Sequence, residues 1–287
     1  MKKAIILGAQ GQLGSDITNL FTQHNIQTIT PTHADLDITN LMEVKQLLST
    51  HRPDVLINAA AYHQVDLCEE NPKTAMAINS TSPAFMARMC NYLKIKFVHF
   101  STDYVFDGEK SSPYNELDKP NPLNVYGKSK YHGENAILSE NHAALILRVS
   151  ALYGKNPCRA KNGLNFIQLM LKLAKERPVL NVVGDEIVSP TSTTDIANIL
   201  PSLIKQELNG IVHLTSEGQC SWHEFASTIF EMTNTKVEVE KVDSSFFPAK
   251  TPRPKYSVLE NTSLKNRGMA SLPHWRDALQ EYLKQQN

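Results

Sequence analysis

The run Lys3 to Leu7 (KAIIL) passes directly into GAQGQLG, and no other feature of the chain limits its fold so tightly. An apolar run that ends on glycine and opens a helical pattern is the first βα unit of a dinucleotide-binding sheet. Gly8, Gly11 and Gly14 permit positive φ and let backbone N–H groups approach a pyrophosphate, which the N-terminus of the following helix stabilises. A glycine turn used only for close packing would look the same in isolation. Its place after the first strand favours phosphate binding, and Gln10, Gln12 and Leu13 of the same turn join the expected cofactor contacts.

The rest of the N-terminal half repeats this alternation. Apolar runs at 26–30, 54–58, 97–101 and 144–149 are separated by helical patterns at 12–23, 41–50, 73–93 and 124–140. Runs without polar alternation are what strands covered on both faces require. Right-handed crossovers then predict a Rossmann-type, doubly wound parallel sheet with its ligand crevice at the strands' carboxyl ends. Asp37 and Thr39 are read as the caps of the second helix. Proline and polar residues at 111–122 and 247–254 read as loops. Beyond Ser150 helices and short strands continue with less regular spacing, at 166–176, 194–205, 211–214, 222–232 and 275–284. The 287 residues therefore divide into a dinucleotide-binding domain, 1–150, and a smaller α/β substrate-binding region, 151–287, interleaved with the end of the sheet.

Lys plus Arg and Asp plus Glu each number 29, which removes the electrostatic argument for a nucleic-acid or membrane-surface partner and points to a small molecule. Cys68, Cys90, Cys158 and Cys220 are scattered, with neither a CxxC nor a histidine at ligand spacing, so no metal and no disulfide framework is expected. The N-terminal apolar run stops at Leu7, too soon for a signal peptide, and nothing approaches the roughly 18 to 20 apolar residues of a membrane helix. A cytoplasmic protein is the expectation.

The segment TITPTHADLD has Thr30 and Thr32 where an acid would hold the ribose hydroxyl of NAD. Loss of that acid admits a 2′-phosphate; no arginine replaces it, so NADPH is expected with NADH tolerated. Asp37 and Ile38 are candidates for the adenine pocket. The small residues of NAAAY, namely Asn58, Ala59, Ala60, Ala61 and then Tyr62, would let backbone approach the cofactor.

Tyr126 and Lys130 in YGKSK share a helix face, so the lysine could lower the pKa of a proton-donating tyrosine. Tyr92 and Lys96 have the same spacing but straddle a helix end and a strand start. Ser101-Thr102-Asp103 supplies a hydroxyl at the carboxyl edge of the fourth strand, beside the expected nicotinamide. His132 and Glu134 are read as part of a solvated helix face, and His213, His223 and His274 receive no role.

The segments GAQGQLG, NAAAY, VDLCEENP, STDYVFDG, YGKSK, LRVSALYG, SPTSTTDIA, CSWHEFA and TPRPKYSVL occur in the order seen in dTDP-4-dehydrorhamnose reductases, and they cover nearly the whole chain. The chain thus resembles an extended short-chain dehydrogenase/reductase of that branch. The resemblance implies hydride delivery from reduced nicotinamide to the C4 ketone of a deoxythymidine-diphosphate sugar, giving dTDP-L-rhamnose for surface polysaccharide. It would have Thr102 bond the ketone oxygen, Tyr126 donate the proton, and Lys130 hold the nicotinamide ribose and tune Tyr126. Asn165, Phe166, Pro190, Thr191 and Arg253 would surround the nucleotide sugar, with Val65, Asp66 and Tyr104 bordering the sugar ring. Ala151 stands where a sugar-contacting aromatic is common in the family. Asp16 and the stretch GDEIV also depart from it, which argues against the metal-bridged dimer of some members. A homodimer is compatible with the sequence but does not follow from it. Two other readings remain at this point: reduction of a different nucleotide 4-keto sugar, and a non-catalytic NADP-binding regulatory subunit. A dehydratase is disfavoured because Tyr104 follows Asp103 where such enzymes carry glutamate.

Overall fold

A computed structural model describes residues 1–157 and 163–285. The first half runs β1 (Lys3–Leu7), α1 (Gln12–Gln23), β2 (Gln27–Ile29), α2 (Leu41–His51), β3 (Val55–Asn58), α3 (Val65–Glu70), α4 (Pro72–Met76), α5 (Ser82–Leu93), β4 (Lys96–Thr102), α6 (Val125–Glu140) and β5 (Leu145–Val149). The second half follows with β6 (Leu152–Tyr153), α7 (Phe166–Glu176), β7 (Val179–Val183), β8 (Ile187–Val188), β9 (Thr191–Ser192), α8 (Thr193–Lys205), β10 (Gly210–His213), β11 (Cys220–Ser221), α9 (Trp222–Met232), β12 (Glu238–Val242), α10 (Thr262–Asn266) and α11 (Trp275–Lys284).

Six strands form one parallel sheet in the order β2-β1-β3-β4-β5-β10. The chain leaves β1 toward β2 and returns on the other side to β3, so the strand order reverses between β1 and β3 and a crevice opens at their carboxyl ends. The apolar runs are continuous because both faces are covered. Ala4 and Ile6 pack with Ile17 and Phe21 of α1 and Leu200 of α8, whereas Ile5 and Leu7 pack with Val44 and Leu48 of α2 and Met86 of α5. A separate apolar cluster, built from Ile167, Leu180, Phe225, Trp275 and Leu279, joins α7, β7, α9 and α11 beside the carboxyl edge of the sheet.

Three local expectations need correction. Asn40, not Asp37 or Thr39, caps α2 by accepting from the Glu43 amide, while Asp37 folds back on the amide and hydroxyl of Thr39. The helical pattern at 73–93 is interrupted by a π-helical turn, Ala77–Thr81, which separates α4 from α5. Glu134 lies on no solvated face: it is fully buried and forms a two-pronged ion pair with Arg148 of β5, at 2.9 and 2.7 Å. The reason is that α6 turns this side onto the sheet, leaving His132 exposed on the opposite side. Cys68, Cys90 and Cys220 are free and buried; Cys158 lies outside the described residues. Among the described residues no helix is long and apolar enough to cross a membrane.

Candidate active site

The glycine turn after β1 is shaped by contact as well as by conformation. Gly8 has φ +77°, and a Cβ there would sit 2.7 Å from the Ala60 amide nitrogen, so only glycine lets the turn lie against the NAAAY loop. At Gly11, the residue before α1, no side chain caps the helix, which leaves first-turn N–H groups facing the crevice. A surface with free amides, a helix dipole and no side chain in the way fits a pyrophosphate. Pro31, Thr32, His33, Asp37 and Ile38 continue the wall beyond β2. Thr32 is occupied by Asp35, which accepts from both its amide and its hydroxyl.

The other wall is α6. Asn124 caps it by accepting from the Gly127 amide at 2.8 Å and donates to the Pro252 carbonyl at 2.9 Å, so the helix start is tied to the proline-rich loop. Gly127 presses against the Tyr104 carbonyl, where a Cβ would collide. That approach brings the Tyr126 ring edge-on to Tyr104, with ring centres 5.7 Å apart, and puts the phenol beside Thr102 at the end of β4. Burial pushes the Tyr126 phenol up, and the Thr102 hydroxyl opposes this. Thr102 itself donates to Asp103 at 2.9 Å and accepts from the Tyr104 amide at 3.2 Å. Burial likewise raises Asp103, which also accepts from Ser150 at 2.8 Å.

Lys130 is 2 % exposed, and its nitrogen meets the Phe100 carbonyl at 2.5 Å and His99 Nε2 at 2.9 Å. Burial lowers its amine to about 8. The expected lowering of the Tyr126 pKa by Lys130 is not what the free protein displays, because the partner that opposes burial at the phenol is Thr102.

The two walls enclose one continuous cavity of about 1600 Å³. Of the residues singled out in the sequence, Gly8, Gln10, Gly11, Gln12, Leu13, Gly14, Asp37, Ile38, Ala59, Ala60, Ala61, Val65, Asp66, Thr102, Tyr104, Tyr126, Lys130, Ala151, Phe166 and Arg253 line it. The other five do not line it. Asn58 is buried and accepts from the Ala60 amide. The backbone of Tyr62 is held at both ends by Asn79. Asn165 is consumed in capping α7 and in bonds to the Gly154 carbonyl and Tyr282 hydroxyl. Pro190 and Thr191 pack inside, Thr191 donating to the Ser189 carbonyl. Phe166 does face the cavity, tilted against Trp222 with ring centres 4.7 Å apart. Arg253 faces the half-buried Glu186 near Tyr104. Ala151 adopts φ +44°, and its methyl leaves that part of the wall open.

Two residues escaped the sequence reading. His99 carried a signal, a lone histidine inside the apolar strand KFVHFST; Asn79, which clamps the NAAAY loop to α6, carried none that local pattern can reveal.

The family model for the RmlD substrate binding domain matches residues 1–287. The chain belongs to the dTDP-4-dehydrorhamnose reductase family. A spore coat polysaccharide biosynthesis protein, SpsK, of Bacillus subtilis is 36% identical over all of this chain and 99% of its own. A dTDP-4-dehydrorhamnose reductase of Aggregatibacter actinomycetemcomitans is 35% identical, covering 97% of each chain. Among solved structures, the Bacillus anthracis dTDP-4-dehydrorhamnose reductase in complex with NADP superposes with a TM-score of 0.94 at 37% identity, over 99% of this chain and 100% of that one. The family is one of oxidoreductases, and UDP-glucose 4-epimerase of Thermotoga maritima, at 17% identity, shares the fold alone.

Proposed function

We propose that this chain uses NADPH to reduce the C4 ketone of a dTDP-linked deoxy sugar, with dTDP-4-dehydro-L-rhamnose as substrate and dTDP-L-rhamnose as product. One observation carries the reading: Thr102, Tyr126 and Lys130 lie on the wall of the same cavity as the uncapped glycine turn. Names of relatives support the chemistry, since both a dTDP-4-dehydrorhamnose reductase and a dTDP-4-keto-6-deoxy-D-glucose reductase of Streptomyces niveus are similar over nearly their full lengths.

In this reading residues 1–150 hold the dinucleotide and 151–287 mainly hold the nucleotide sugar. The amides of the Gly8–Gly14 turn bind the pyrophosphate, and the wall at Thr32, Asp37 and Ile38 receives the adenosine. NADPH, when bound, supplies the hydride. Thr102 orients the ketone by donating to its oxygen, which requires its hydroxyl to turn from Asp103. Tyr126 gives its phenolic proton to that same oxygen as charge develops there. Burial favours the protonated phenol in the resting site, so the proton is present when the ketone arrives. Lys130 handles the proton that replaces it.

Purified protein, NADPH and dTDP-4-dehydro-L-rhamnose test this directly, with consumption of NADPH and appearance of dTDP-L-rhamnose expected. Failure to reduce any nucleotide 4-keto sugar would leave the regulatory-subunit reading. Fluorescence titration of both cofactors is expected to give NADPH affinity at least equal to NADH. A preference for NADH of tenfold, about 1.4 kcal/mol, would show that the wall beyond β2 selects the unphosphorylated ribose.

A further inference from the structure

Behind Lys130 lies a chain of hydrogen bonds that starts from a donor whose direction is fixed. The Ala60 backbone N–H points at Asn58 Oδ1, 3.1 Å away, and a backbone amide can only donate. The Asn58 amide group therefore presents its NH2 end to His99 Nδ1, at 3.2 Å. Turning the side chain over would set NH2 against the Ala60 N–H, donor to donor, in a place where both Asn58 and His99 are fully buried. With Nδ1 accepting, a neutral His99 carries its hydrogen on Nε2. An imidazolium is excluded by the same polarity, since its Nδ1–H would face the Asn58 NH2. The Nε2–H is aimed at Lys130 Nζ, 2.9 Å away. An ammonium has three donors and no lone pair, whereas a neutral amine has one lone pair to receive this hydrogen.

We propose that Asn58 and His99 are positioning residues that hold Lys130 as a neutral amine in the free protein, its lone pair turned to His99 Nε2–H. Burial acts in the same direction, lowering the Lys130 amine to about 8, and a hydrogen bond received by its lone pair lowers it further. His99 is itself kept neutral by burial and by its nearness to Lys130. The titratable groups around the Tyr126–Lys130 pair do not compensate. Glu134, one turn farther along α6, raises the Lys130 amine by less than burial lowers it and is itself engaged by Arg148; Asp103 has its carboxylate raised by burial, and Cys68 from α3 has its thiol pushed up to about 11.

The consequence lies in the direction of proton flow, and it rests on the assignment of Tyr126 as acid. As the product O–H bond forms, the Tyr126 O–H bond breaks and a phenolate remains. A hydronium ion from solvent then breaks one O–H bond and leaves as water while a new N–H bond forms on Lys130; that N–H bond breaks in turn as the proton passes to the phenolate oxygen, restoring the phenol and returning the amine. The hydrogen bond from His99 stabilises that final amine, so it makes Lys130 a stronger acid toward the phenolate. A fixed ammonium would hold its proton instead.

Tautomer and titration are measured on the full chain without turnover, so their failure is distinct from failure of the proposed reaction. In protein carrying ¹⁵N-histidine, the His99 imidazole is expected to give the Nε2–H pattern at neutral pH. With ¹³C-labelled lysine, the signal lost in Lys130→Arg is expected to be that of a neutral amine at pH 7, titrating more than three pH units below the ordinary lysines. Asn58→Asp reverses the chain, because a carboxylate accepts from both the Ala60 amide and His99 Nδ1–H. His99 should switch to the Nδ1–H tautomer and Lys130 should titrate at least one unit, tenfold in proton affinity, higher than in the parent. The tautomer switch separates reversed polarity from simple attraction between the new carboxylate and the lysine. An Nδ1–H or doubly protonated His99 in the unaltered protein, or a Lys130 that is still an ammonium at pH 7, overturns the proposal whether or not Asn58→Asp folds.

Discussion

At the level of single residues, two side chains decide whether reduction occurs and of what. Tyr126→Phe removes one hydroxyl from a ring held edge-on by Tyr104, so fold and NADPH affinity should survive while kcat falls by about a hundredfold or more. Turnover near the parent value would move the acid elsewhere. Ala151 is the open question of specificity: at φ +44° it already occupies the left-handed region, so a larger side chain there adds bulk in the cavity and not a new kind of strain. If dTDP-4-dehydro-L-rhamnose is the substrate, the methyl leaves an unfilled face, and Ala151→Trp should lower KM by covering it. If the space serves a bulkier 4-keto sugar, the same change should abolish that activity by exclusion. Assaying one variant against a panel of nucleotide 4-keto sugars separates these outcomes by sign, and we expect the first.

At the level of elements, the π-helical turn between α4 and α5 does what a regular helix could not. It directs Asn79 inward, where the side chain accepts from the Tyr62 amide and donates to the Tyr62 carbonyl and to Ser129, each at 2.9 Å. Ser129 sits next to Lys130, so one side chain ties the cofactor-side loop to the helix carrying the acid. Asn79→Ala should orphan buried groups and destabilise the fold by roughly 1–3 kcal/mol. It should also lower kcat more than it raises KM for NADPH, because α6 loses its register with the sheet. Denaturant unfolding and steady-state kinetics measure the two effects, and a variant with lowered stability but unchanged kcat would confine Asn79 to a structural role.

The π-helical turn also shows why some of the site was legible in the sequence and some was not. Strands are written in local pattern, and caps less firmly, since Asp37 and Thr39 are the expected caps of α2 where Asn40 does the capping. KAIIL, followed by glycines, gave both β1 and the start of α1, and the pattern expected from Asn124 gave α6, with Asn124 itself proving to be the cap before Val125. KTAMAINSTSPAF, by contrast, reads as helix throughout, because the extra residue of a π-helical turn is favoured by contacts with Tyr62 and Ser129, far off in sequence. Asn165, Pro190 and Thr191 show the opposite limit. Their motifs mark the right neighbourhood, yet whether a side chain faces the cavity or braces the wall from behind depends on Gly154, Tyr282 and Ser189, which no spacing rule connects to them.

Across the whole molecule, the sheet places a lysine where folding and catalysis make opposite demands on pH. Lys130 is buried against β4, and its amine falls from the ordinary 10.5 to about 8, with burial as the cause. Below the folded titration, which the proposed hydrogen bond from His99 carries lower still, both folded and unfolded chains bind a proton at this side chain, and the folded one does so at a disadvantage. Between about 8 and 10.5 the unfolded chain binds it and the folded chain does not. Stability attributable to Lys130 therefore rises with pH across that window, since the unfolded state holds more protons there. Reduction needs the reverse, because a proton must stand on Lys130 once per turnover, and fewer do so as pH climbs through its titration. Log kcat for reduction should accordingly decline with alkaline pH from about 8, while the melting temperature of the parent gains on that of Lys130→Met over the same range. The comparison with the methionine variant cancels other titrating groups, including Asp103 and the exposed lysines. Differential scanning at a series of pH values, run beside the rate profile, reads both slopes. If the parent and Lys130→Met keep a constant difference in melting temperature from pH 7 to 10, Lys130 titrates outside the window, and the fall in rate has another origin.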